Sequence, residues 1–327
     1  MDELRDLIIV GAGPAGLACG IEAKRQEIDF VILEKGMVVN SLYHYPTHMT
    51  FFTTAELLEI GDVPMTVSAE KPKRLDGLAY YRRVADHFGL PIRDYEEVLG
   101  ISGTEGDFRV ATRDRLMVDH CHQTRRIIIA TGYYANPNQL GIPGEQLSKV
   151  SHYYRDPHPY FRKKVMVVGG RNSAAIAALE LYRNGASEVT LVHRAAQMSE
   201  DVKYWILPDI NNRIKNREIT AYFNTLLVEI RDIEVVLATA HGTKTVENDF
   251  VLLMTGYHPD VSFLRKVGIE IEESSLVPRH NPETLESNVK GIYLAGAILS
   301  GKNTNSIFIE NGRFHGSQIF KHWPKGD

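Results

Sequence analysis

Between residues 8 and 35 the chain reads IIVGAGPAGLACGIEAKRQEIDFVILEK, and no other stretch restricts the possible folds so strongly. Apolar residues 7 to 10 have strand length, and Gly11-Ala12-Gly13-Pro14-Ala15-Gly16 follows at once. A helix-compatible stretch then runs to Gln26, and a second strand-length run, residues 30 to 33, ends on Glu34 with Lys35 beside it. A bare GxGxxG motif is weak evidence. Set between a strand and a helix, with an acidic residue eighteen positions past Gly16, it reads as a dinucleotide cradle. Gly11 permits the tight turn, Gly13 lets backbone approach a pyrophosphate, and Gly16 lets helix and strand pack closely. The helix N-terminus offers N–H groups and partial positive charge to phosphates. Glu34 suits an adenosine ribose and repels a 2′-phosphate.

The same plan recurs in VMVVGGRNSAAIAALELYRNGASEVTLVHR, residues 165 to 194. A strand leads to Gly169-Gly170-Arg171-Asn172-Ser173-Ala174, then a helix to Tyr182, Gly185 as a C-cap, and a strand over residues 189 to 192. Where the first unit ends on an acid, this one ends on His193-Arg194. A cationic pair there suits a 2′-phosphate and favours NADP over NAD. Arg171 stands where the first loop has Gly13, so it either crowds the pyrophosphate or grips it as a charged fork.

The remaining composition excludes more than it suggests. Net charge of −4 and scattered Lys and Arg give no reason to expect a nucleic-acid or anionic-membrane partner. Apolar runs stay far below the ~20 residues of a membrane helix, and the charged opening MDELRD reads as no secretory leader, so cytoplasm is the expectation. Two cysteines, Cys19 and Cys121, are too few for a disulfide framework. Cys121 lies between His120 and His122, but alternate strand positions face opposite ways, and no metal is expected.

Three further segments, RRIIIATGYYANP with Ala130-Thr131-Gly132, VLLMTGYHPD with Thr255-Gly256, and GIYLAGAI with Gly296-Ala297, join the two loops in a wider pattern. Together they resemble the two-dinucleotide flavoproteins of the low-molecular-weight thioredoxin reductase branch. The long strings YHYPTHMTFFTTAELLEIGD, SHYYRDPHPYFRKKVMVVGGRNSA, RHNPETLESNVKGIYLAGAI and GKNTNSIFIENGRFHG resemble the bacillithiol disulfide reductase family in particular. The resemblance spans essentially the whole chain. It implies an α/β fold of two Rossmann-like domains: a three-layer FAD domain of residues 1–140 and 257–327, with an NAD(P)H domain of residues 141–256 inserted. It also implies a homodimer.

The implied chemistry is hydride transfer from NADPH to the flavin N5 and onward to a disulfide-type acceptor, a small molecule or a small redox protein. The resemblance places Thr50 and Phe51 in the loop crossing the isoalloxazine. It sets Ser306, Ile307 and Phe308 at a helix start aimed at the flavin pyrimidine, with that helix entered near Asn305 or Ser306. His48 is the titratable group nominated to deliver a proton.

Two departures bear on the acceptor. Thioredoxin reductases carry a CxxC before the second glycine loop, and this chain has no cysteine after Cys121. The bacillithiol disulfide reductases carry a cysteine in the first loop where Ala15 stands. Cys19, one turn further along the same helical face, reads as a small core residue rather than a replacement thiol. A third departure is Ala297, where the flavin strand usually ends in Gly-Asp and the carboxylate holds the ribityl chain. Three alternatives stay open: a ferredoxin- or flavodoxin-NADP reductase of the thioredoxin-reductase-like type, a flavin monooxygenase, and a non-enzymatic flavin redox sensor. Of the FxGxxxH string that monooxygenases carry before the second glycine loop, only His152 has a counterpart here.

Overall fold

The computed structural model describes residues 4–323, and they divide into two compact units. One holds the chain up to Asn136 and from Tyr257 onward, the other Pro137–Gly256. The first boundary falls four residues before the 140 expected, because the Asn138 backbone N–H donates to Gly256 O and its side chain to Thr255 O.

The first unit opens with β1 (Arg5–Val10), α1 (Pro14–Arg25) and β2 (Phe30–Glu34), followed by α2 (Asn40–Tyr43), α3 (Arg74–Phe88) and β3 (Ile92–Asp94). Then come β4 (Glu96–Thr104), β5 (Asp107–Asp114) and β6 (Asp119–Ile129). β3, β2, β1 and the second half of β6 are parallel neighbours. β1 and β2 are apolar on both faces because each face is covered. β5 alternates exposed and buried positions, as a strand with one wet face does. β6 is long enough to serve both arrangements, pairing antiparallel with β5 over residues 119–124 and parallel with β1 over residues 124–129. The side chains of α1 nearest the sheet are small. A Cβ on Gly20 would stand 2.8 Å from the Ile32 side chain, so the helix lies almost on the strand. Buried side chains such as Leu7, Ile9, Leu17 and Ile32 each contribute about 1.5–3 kcal/mol by leaving water.

The second unit comprises β7 (Val150–Ser151), β8 (Lys164–Val168), α4 (Asn172–Arg183), β9 (Glu188–Val192), α5 (Leu207–Lys215) and β10 (Thr220–Tyr222). It continues through β11 (Leu226–Ile230), β12 (Glu234–Thr239), β13 (Gly242–Glu247) and β14 (Phe250–Leu253). Its parallel sheet has the order β10-β9-β8-β14-β7. The α4 and α5 side chains Ala175, Leu179 and Ile210 cover one face of it. The antiparallel sheet β11-β12-β13 covers the other, Leu227, Val235 and Leu237 packing on Met166, Val192 and Val251. Gly185 follows α4 at φ +81°, the left-handed turn expected of it.

The chain then returns to the first unit through α6 (Val261–Lys266), β15 (Ile292–Leu294), α7 (Ile309–Gly312) and α8 (His315–Lys321). β15 adds to the parallel sheet beside β6. The insertion of one unit within the other follows the order in which the two glycine loops occur.

Candidate functional site

The first glycine loop divides its duties as its spacing suggests. Gly11 has φ +107°, and a Cβ there would stand 2.7 Å from Ala130 O; one on Gly16 would stand 1.9 Å from Gly11 O. Gly13 meets nothing within 4 Å, so its backbone borders open space. It also caps α1 with extended backbone and no side-chain hydrogen bond, followed by Pro14 at the first helical position. The free N–H groups at the helix start thus meet no side-chain competitor. Glu34 is buried, its two carboxylate oxygens accepting N–H bonds of 2.8 Å from Ala12 and Gly36. Burial raises its pKa, opposed by those two N–H groups and by exposed Lys35. Each oxygen has a further lone pair, enough for a ribose diol. These residues fit an adenine dinucleotide without a 2′-phosphate. Ala130, Thr131 and Gly132 follow β6 beside this loop, with Gly132 at φ +66° and the Ala130 N–H donating to Val10 O.

Ala15 sits against Gly296: a Cβ on Gly296, whose φ is +76°, would stand 2.6 Å from that of Ala15. The Gly296 N–H donates to His315 Nδ1 at 2.9 Å, a partnership the sequence did not signal. Burial, then His280, lowers the His315 pKa to about 4, leaving it neutral near pH 7.

Two expectations in this unit meet a different structure. Phe51 is buried in the core against α3, its ring 3.0 Å from where a Cβ on Gly77 would lie, so protein rather than open space covers it. The helix assigned to begin near Asn305 or Ser306 begins at Ile309 and is four residues long, leaving Ser306, Ile307 and Phe308 in the segment before it. That segment is braced by the Asn311 side chain, which donates to Ser306 O and accepts from the Phe308 N–H. Thr50 and His48 are both exposed, Thr50 forming a bridge with Lys73. Sequence reasoning also overlooked four tyrosines. Tyr45 packs edge-on against Tyr134 at 4.7 Å, and Tyr257 lies 4.8 Å from Tyr134 and 6.3 Å from Tyr133. The Tyr133 O–H donates to Thr304 O and the Tyr134 O–H to His44 O, tying the two segments nominated for flavin contact to one aromatic cluster.

The second loop is built differently. Gly169 is closed by Met254 O, 2.5 Å from where its Cβ would be, and Ala174 is buried, as in a tight strand-to-helix turn. Gly170 lies under the His193 ring, 2.3 Å from where a Cβ would stand. Burial and then Arg194 lower the His193 pKa, so the expected cationic pair reduces to exposed Arg194 with a neutral imidazole beside it. Arg171 is exposed and lies 3.4 Å from the Asp201 carboxylate. Asn172 is fully engaged: its Oδ1 accepts from the Lys203 N–H and its Nδ2 donates to Asp201 O. Ser199 N–H donates to Gly170 O. Residues 199–203 are therefore laced across this loop, with Ser173 exposed at its side. Gly256 closes the unit at φ +89° beside Asn138.

Cys19 does not sit as a redox thiol would. Cys19 is fully buried and burial pushes its thiol up to about 12, aided by Glu22. Cys121 is exposed on β6. Its neighbour His122 is buried with Glu96 and Thr112, its Nε2 lying 2.5 Å from Glu96 Oε1.

The family model for pyridine nucleotide-disulphide oxidoreductases matches residues 8–296. The bacilliredoxin reductase Bdr of Bacillus subtilis is 45% identical over 313 residues, 95% of each chain. The bacillithiol disulfide reductase Bdr of Bacillus cereus superposes with a TM-score of 0.95 at 42% identity, covering 98% of each chain. The chain belongs to this family. It is thus an FAD- and NADPH-dependent oxidoreductase of the bacillithiol disulfide reductase group. A ferredoxin–NADP reductase of Ignicoccus hospitalis is similar over 99% of both chains at 24% identity. Among the described residues no helix is long and apolar enough to cross a membrane.

Proposed function

We propose that this reductase delivers the electrons of NADPH to a low-molecular-weight disulfide such as bacillithiol disulfide, or to the disulfide of a small redox protein, without a thiol of its own. The near full-length likeness to Bdr proteins carries this reading. FAD, when bound, accepts an electron pair from the nicotinamide and passes it on. Gly11, Gly13, Pro14, Ala15 and Gly16 present backbone to its pyrophosphate, Glu34 accepts its ribose hydroxyls, and Lys35, Thr131 and Gly132 border that cradle. Gly296, Ala297, Ser306, Ile307 and Thr50 surround the ring end. Gly169, Gly170, Asn172, Ser173 and Ala174 receive the second dinucleotide, with Arg171 and Arg194 meeting its phosphates. His48, exposed, is the proton donor to the departing sulfur. The family resemblance implies a homodimer, and an unpaired exposed Cys121 suits the reducing cytoplasm.

The test is NADPH consumption with bacillithiol disulfide, a bacilliredoxin mixed disulfide, or ferredoxin as acceptor. Turnover with either disulfide, retained after alkylation of Cys121 and in Cys19→Ser, is expected. Turnover with ferredoxin alone would establish the second reading, which the buried Cys19 and Ala15 favour because one-electron transfer needs no thiol.

A further inference from the structure

The end of β15 is where Ala297 stands in place of the aspartate whose carboxylate, in the resembling flavoproteins, holds the ribityl chain, so the wall there depends on how the strand end itself is fixed. Two backbone N–H groups do the fixing. Ala295 is held on its sheet side by an N–H bond to Ile129 O. Gly296 then turns at φ +76° with its Cα against Ala15, and its N–H leaves the sheet for His315 Nδ1. A backbone N–H can only donate, so Nδ1 carries the lone pair and the imidazole proton, in the neutral form, lies on Nε2. His315 is the first residue of α8, and that helix is set without play. A Cβ on Gly316 would stand 2.9 Å from Ala18 O, in the helix that begins at the first glycine loop. One imidazole thus references the strand end to the same helix that carries the pyrophosphate loop.

We propose that His315 is a positioning residue for the flavin: its Nδ1 lone pair fixes Gly296-Ala297 against Ala15 and sets the ring-end wall to which FAD binds. This rests on the reading of the first unit as the FAD domain. The lowered proton affinity of His315, from burial and from His280, keeps the lone pair available at physiological pH.

The test compares His315→Asn, whose Oδ1 can stand near Nδ1, with His315→Ala, which has no acceptor. Flavin-stripped protein is titrated with FAD by fluorescence, and the Gly296 amide is followed by hydrogen exchange without flavin. His315→Ala is expected to weaken FAD binding about tenfold or more and to speed Gly296 exchange by a similar factor, because a donor is left unpaired. His315→Asn is expected to stay within about threefold on both measures, well short of the tenfold that 1.4 kcal/mol represents. Equal FAD affinity in wild type and His315→Ala overturns the proposal. So does a folded His315→Asn that loses flavin, a result that decides the matter even if the alanine variant fails to fold. Wild type that takes up no FAD at all removes the FAD-domain reading instead, a separate failure.

Discussion

The two glycine loops share one strand-turn-helix plan and hold it by opposite means. The first is fixed by backbone: Gly11 and Gly16 fit against carbonyl oxygens, and the Glu34 carboxylate is pinned by two N–H groups. The second is dressed in side chains, with His193 over Gly170, Arg171 paired to Asp201, and Asn172 tied to residues 199–203. Backbone that cannot move suits a cofactor that stays. Exposed side-chain pairs that exchange partners at little cost suit one that comes and goes. On the proposed reading the acid at one edge and the arginine at the other sort the nucleotides, Glu34 repelling a 2′-phosphate and Arg194 attracting it.

The strongest way to break this contrast is within the first loop. Gly16→Ala places a methyl 1.9 Å from Gly11 O, and we expect a loss of about 3 kcal/mol or more in denaturant unfolding together with the flavin. Gly13→Ala, with φ −72° and nothing within 4 Å, should alter stability by no more than about 0.5 kcal/mol yet weaken FAD binding. If both glycines tolerate alanine equally in stability, the loop is not backbone-locked.

Acid should act next on the first unit, because the Gly296 N–H there donates to a neutral histidine, His315. His315 has its pKa lowered to about 4, whereas an unfolded histidine titrates near 6.5. Between those values the unfolded chain binds the proton and the native chain does not. Stability is therefore full above about pH 6.5 and is lost as pH falls towards 4, by about 3 kcal/mol at most. His280 is the titratable neighbour that reinforces the shift. The difference between wild type and His315→Asn in chemical denaturation at pH 5 and pH 7.5 isolates this contribution; equal pH slopes would refute it.

At the second loop, Arg194→Ala should weaken NADPH binding about ten- to hundredfold, the worth of a charge-assisted bond, and leave NADH within about twofold. Isothermal titration with NADP⁺ and NAD⁺ measures both. Equal losses for the two nucleotides would mean that Arg194 contributes general electrostatics and no 2′-phosphate recognition.

The contrast also explains what was legible in the sequence. Both loops could be read because glycine turns are local: the residues that need them are adjacent in the chain. Phe51 was misplaced because its burial is decided by Gly77 on α3, a contact no local pattern announces. The start of α7 was missed because Asn311 braces the preceding segment and holds it off helical conformation until Ile309. His315, Asp201 and the tyrosine cluster stayed invisible for the same reason. Each acts through a partner distant in sequence, often a backbone N–H or carbonyl that carries no residue identity at all.

The smallest expected effect tests the side-chain lacing of the second loop most directly. Asp201 meets that loop in two ways: its carboxylate faces Arg171, and its backbone carbonyl accepts from Asn172. Asp201→Asn removes the first and keeps the second, so residues 199–203 stay laced while Arg171 is released to a phosphate. An exposed ion pair is worth about 0–1 kcal/mol, so NADP⁺ binding should tighten by no more than about fivefold. Asn172→Ala cuts the lacing instead and should loosen residues 199–203, read as faster amide exchange at Lys203. If Asp201→Asn weakens NADP⁺ binding, the carboxylate orders the loop for its ligand rather than competing with it. Arg171 would then be a structural member of the second cradle, and side-chain exchange would not be what distinguishes it from the first.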